Sequence, residues 1–93
     1  MPDIYFLEFD ERNEEHQARH GVSPTELRQV LENQHLTRPN PKAPERILLM
    51  GYTHGGRALV VVLASTDDEA TWRPVTAWIA EPQERKVIEG HLR

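Results

Sequence analysis

The side chains best suited to proton transfer near neutral pH and to holding anions in this chain are a few histidines and arginines, and the sequence has no cysteine. That absence excludes disulfides, thiolate metal sites and cysteine nucleophiles together. His20 can take up or release a proton near neutral pH, and Arg19 beside it can hold an anion. His20 equally fits the plain role of a cation closing a helix end. Arg57 follows Gly55-Gly56 at the opening of an aliphatic run, where a guanidinium either projects toward a phosphate or lies on the surface beside a turn. Glu84 and Arg85 offer an acid and a phosphate contact, or simply a solvated helix face. Trp78 can stack on a base as single-strand binders do, or serve as core on the same strand face as Trp72. His16 and His20 are four apart, the spacing of a helical metal pair, but the residue after the first is Gln17, where zinc proteases place a glutamate between their two ligands, and no third ligand stands out among His35, His54 and His91. No metal and no cofactor is expected. Glycine-rich phosphate loops, nucleophile elbows and carboxylate dyads are missing from the sequence.

Charge is unevenly spread. The net charge of -4 is the wrong sign for a protein that binds by neutralising many phosphates. Residues 36–66, however, carry four bases (Arg38, Lys42, Arg46 and Arg57) against one acid, between acidic flanks. Arg46 is thus a candidate substrate contact within a local patch, for which the bland alternative is a solvated face.

These residues must be positioned by few elements, since 93 residues make a single domain with one core. Ile4–Phe9 is apolar and aromatic enough for one strand. Asp10 is a suitable N-cap and Gly21 a suitable C′ residue, which predicts a largely polar helix over 11–20. Ser23-Pro24-Thr25-Glu26 is a capping box with proline at the first helical position, and Leu27, Val30 and Leu31 follow at helical spacing, so a second helix runs to Glu32. Leu36–Arg38 fits an edge strand, after which Pro39, Pro41 and Pro44 predict an extended loop. Ile47–Thr53 and Ala58–Ala64 flank the turn residues His54-Gly55-Gly56-Arg57, and the second strand, apolar on both faces, should be central. Trp72–Ala80 reads as a further strand and a last helix begins at Pro82. The order predicts an α+β fold: a curled antiparallel sheet with two N-terminal helices and one C-terminal helix. The longest apolar run has seven residues, Ala58–Ala64, where a bilayer span needs about twenty. Met1–Arg12 has no basic start and four acids, so no signal peptide and a cytoplasmic location are expected.

This arrangement resembles the BrnT-like toxins, a branch of the RelE/ParE toxin fold. The matching stretches are Phe9-Asp10, Asn13, Ala18-Arg19-His20-Gly21-Val22-Ser23, Gly56-Arg57-Ala58-Leu59-Val60-Val61-Val62, Val75-Thr76-Ala77 and Glu84-Arg85, from about residue 8 to 88. The resemblance implies the toxin of a type II toxin–antitoxin pair, acting as a metal-independent endoribonuclease and silenced by a cognate antitoxin. It implies catalytic roles for His20, Arg19, Arg57 and Arg85; the RNA contacts expected at Trp78 and Arg46 rest on base stacking and on the local basic patch instead. Trp78 stands where the family commonly has arginine, and Arg19 where it often has lysine. The alternative expectation is the same fold without nuclease activity, holding a protein partner on its sheet face and basic hairpin.

Overall fold

A computed structural model describes residues 4–10, 12, 21–43 and 45–92. Five strands form one curled sheet in the order β1-β5-β4-β3-β2: β1 is Phe6–Leu7, β2 His35–Pro39, β3 Arg46–Tyr52, β4 Ala58–Ser65 and β5 Thr71–Ile79. Two helices, α1 (Pro24–Glu32) and α2 (Pro82–His91), pack on its opposite faces. The fold is α+β, as expected, and compatible with the RelE-like architecture. The helix predicted over 11–20 lies outside the described residues, apart from Arg12, which is helical.

The sheet is mixed, correcting the all-antiparallel expectation. β1 runs parallel to β5, with Phe6 opposite Thr71 and Leu7 opposite Trp72, whereas the other pairs are antiparallel. The strand expected over Ile4–Phe9 is cut to two residues. Its flanks still bond to the same neighbour, Tyr5 N to Ala70 O at 3.0 Å and Glu8 N to Trp72 O at 2.9 Å.

Continuous apolarity places β4 at the centre, where residues 58–63 are all buried. Its odd positions Leu59, Val61 and Leu63 pack with Leu27 and Val30 of α1; the even positions Ala58 and Val60 pack with Ile88 of α2. Each buried leucine or valine contributes about 1.5–3 kcal/mol, so this doubly covered strand is the main source of cohesion. α1 begins at the predicted capping box: Ser23 Oγ accepts from Glu26 N at 3.2 Å, and Glu26 Oε1 accepts from Ser23 N at 3.3 Å.

Pro39 and Pro41 do not produce an extended loop, and Pro44 lies outside the described residues. Pro39 closes β2, which is allowed because β2 is an edge, and the chain then turns tightly, with Ala43 N donating to Asn40 O and Lys42 N to Asn40 Oδ1.

The other departure is a β-bulge in β5. Val62 pairs with Thr76 but Leu63 pairs with Pro74, so Val75 is passed over. One skipped residue inverts the face of everything before it. Trp72 and Trp78, expected on one face by their even spacing, therefore lie on opposite faces: Trp72 in the α1-side core and Trp78 against the α2-side core.

Candidate functional site

Arg57 leaves the β3–β4 turn, where Gly56 supplies the left-handed conformation with φ at 86°. Its guanidinium turns back onto the start of α1 while staying partly exposed. Nη1 donates to Glu26 Oε2 at 2.7 Å and Nη2 to the Gly21 carbonyl at 3.1 Å. The ion pair is partly exposed, at 39 % for Arg57 and 21 % for Glu26. Arg57 thus ties the hairpin to the capped start of α1. Neighbouring contacts do the same: His54 N donates to Gln29 Oε1 at 3.1 Å and Asn33 Nδ2 to the Tyr52 carbonyl at 2.9 Å. These contacts dock the hairpin on α1.

Gly21, the predicted C′ residue, has φ at 73°, a conformation that glycine adopts without strain. His20 and Arg19, immediately before it, lie outside the described residues, as does His16. The fold brings Arg57 against Gly21, the residue that follows His20.

Trp78 and Glu84 form a second closed unit. The indole Nε1 donates to Glu84, 3.0 Å to Oε1 and 3.3 Å to Oε2, and Oε1 also accepts from Glu81 N at 2.9 Å. One carboxylate therefore binds the tryptophan and satisfies a free donor at the start of α2. The half-buried Trp78 ring packs beside Ala80 and Ile88. Arg85, next in sequence to Glu84, is exposed.

Arg46 belongs to a third, open arrangement. It lies directly opposite Ala64, and Ala64 directly opposite Arg73, so an Arg–Ala–Arg row crosses β3, β4 and β5 on the α2-facing side of the sheet. α2 stops short of this row. The helix covers Met50, Val60 and Trp78, and its end reaches the next row, where Arg38 Nη2 lies 3.3 Å from His91 Nε2. Beyond it, a hollow of about 410 Å³ is lined by Asp10, Arg12, Arg46, Arg73 and Val75. Among the described residues the ion pairs are Arg57–Glu26 and a loose His54–Glu32 contact at 3.8 Å, so none of the three arginines forms one. Asp10 has an interaction of its own.

Sequence reasoning singled out Arg46 but missed Arg12 and Arg73. Strict alternation from Val62–Thr76 would set Pro74 against Ala64 and turn Arg73 to the α1 side; the bulge at Val75 brings it round. No residue type near Val75 announces that irregularity. A separate hollow of about 530 Å³, lined by Tyr5, Thr66, Ala70 and Trp72 among others, lies at the β1–β5 end, where Trp72 Nε1 is buried without a hydrogen-bond partner.

No helix among the described residues is long and apolar enough to cross a membrane. No protein-family model matches the chain, and no curated protein matches it either.

Proposed function

We propose that this chain is the toxin of a type II toxin–antitoxin pair, a cytoplasmic, metal-independent endoribonuclease on a BrnT-like variant of the RelE/ParE fold, silenced by a cognate antitoxin. The reaction needs no cofactor. A base takes the proton of an RNA 2′-hydroxyl, whose oxygen attacks the adjacent phosphorus; the bond to the 5′-oxygen breaks as an acid returns a proton to it. His20 supplies proton transfer, and Arg19, Arg57 and Arg85 supply positive charge against the developing phosphorane. The observation that carries this reading is the 3.1 Å hydrogen bond from Arg57 Nη2 to the carbonyl of Gly21, which keeps a guanidinium next to the residue following His20. The curled sheet flanked by helices is compatible with it.

A second reading, a partner-binding module without nuclease activity, is favoured by the 2.7 Å Arg57–Glu26 ion pair, which offsets the charge an RNA phosphate would meet. Expression of the wild-type chain without its partner separates the two. The toxin reading expects growth arrest and RNA cleavage that persists in chelator, both relieved by His20→Ala at equal soluble protein. Unimpaired growth and intact single-stranded RNA with abundant soluble wild type would leave the binding module.

A further inference from the structure

The Arg46–Ala64–Arg73 row has the form of a receptor. Its two arginines are two strands apart, so their backbones are separated by roughly 10 Å. The residue between them is alanine, whose short side chain leaves a gap rather than a wedge. Two guanidiniums over one gap, with no ion pair among the described residues, repel each other; Arg12 lines the same hollow, as does Asp10, which has an interaction of its own. A single carboxylate is satisfied by one arginine fork; three forks around one hollow suit an oxyanion with more oxygens and more charge. Arg73 also borders a hollow lined by Glu8, Asp67 and Asp68, yet it pairs with none of them.

We propose that Arg46 and Arg73, assisted by Arg12, form a binding site for a phosphate group, seated over Ala64 in the open half of the α2-facing sheet surface. The site stands on register and composition and does not depend on the nuclease reading. Its ligand is a phosphate monoester or a phosphodiester of a single strand, which share the same oxygens.

The test is a titration of the full-length chain at low ionic strength, followed by the arginine Nε–H and Ala64 amide resonances. Three probes are used: inorganic phosphate, adenosine 5′-monophosphate, and a 2′-O-methyl oligoribonucleotide with hydroxyl ends, which cannot be cleaved through its 2′-oxygen. Shifts at Arg46, Arg73 and Ala64 are expected, with Arg46→Gln and Arg73→Gln each weakening binding about tenfold. Lys86→Gln removes the same charge from α2 and should change affinity less than twofold. Binding of the two small probes alone assigns a terminal phosphate. Tighter binding of the oligomer, with a salt slope reduced by about one for each arginine removed, assigns a strand. Either result supports the site. It is overturned if no probe moves these resonances in folded protein, if Lys86→Gln weakens binding as much as the arginine variants, or if only an acidic peptide binds there. A chain that binds phosphate but leaves RNA intact would sink the nuclease reading and leave this site in place.

Discussion

Arg57 and the Arg46–Arg73 pair occupy the same sheet and meet opposite circumstances. Arg57 is consumed by neighbours: one side of its fork is on the Glu26 carboxylate and another donor is on a backbone carbonyl. Arg46 and Arg73 stand on either side of an alanine and, among the described residues, form no ion pair. A basic residue beside a glycine turn looks the more functional in sequence, yet what separates a structural arginine from a receptive one is whether the fold supplies its counter-charge. Arg57 therefore belongs to the molecule's cohesion whatever else it does, while the other two contribute little to cohesion and are available to a ligand.

The largest test of that contrast is Glu26→Ala. Glu26 accepts from Ser23 N and binds Arg57, so its removal breaks a capping box and leaves a guanidinium without its counter-ion. A loss of about 2–3 kcal/mol is expected in urea denaturation. Arg57→Ala should cost less, about 1–2 kcal/mol, because the ion pair is partly exposed and Glu26 keeps its capping role. A double-mutant cycle on the two should return a coupling of roughly 1 kcal/mol. Independent effects that simply add would show that the ion pair does not hold the hairpin to α1. The result also bears on growth assays: an Arg57→Ala chain that loses toxicity through instability says nothing about chemistry, so its soluble level must be matched first.

A smaller effect is expected at Trp78, whose indole could stack on a base but is held by a carboxylate in the fold. Trp78→Phe removes the indole donor and leaves Glu84 bound to Glu81 N. The expected cost is about 1 kcal/mol. Exchange of the indole N–H with solvent should be slow in the wild type, and fast exchange would mean that this side chain is open enough to serve a ligand.

The parts of the fold legible in sequence were those fixed by local chemistry. Ser23 and Glu26 announce the start of α1, Gly56 the β3–β4 turn, Pro82 the start of α2, and the unbroken run of Ala58–Ala64 the central strand. What was hidden is non-local. Nothing within Phe6–Leu7 says that its neighbour will be β5 in parallel, because that choice is made by how the rest of the chain folds back. Nothing in Trp72–Trp78 discloses a skipped residue, and this one bulge decides both which tryptophan meets α2 and which way Arg73 points. Spacing also cannot predict Arg57's target, since Glu26 is 31 residues away. The candidate site was therefore legible in residue type, with Arg46 and Arg57 both visible, but not in the pairing that distinguishes their roles.

The smallest effect, and the one that most sharply separates the two settings, is at the open row. Arg46→Gln and Arg73→Gln break no ion pair among the described residues, so each should change stability by no more than about 0.5 kcal/mol. The sign is informative. Two like charges facing the same gap raise the energy of the folded chain, so removing either one should slightly raise the melting temperature at low ionic strength. Because that repulsion acts across solvent, the gain should fade as salt shortens the screening length from about 30 Å at 0.01 M toward about 3 Å at 1 M. Arg57→Gln should show the reverse, a loss that shrinks with salt as the Glu26 attraction is screened. Melting curves of the three variants across that salt range give the comparison directly. If Arg73→Gln is destabilising by 1 kcal/mol or more at low salt, Arg73 has a structural counter-charge after all, and the distinction between a closed arginine and an open pair fails.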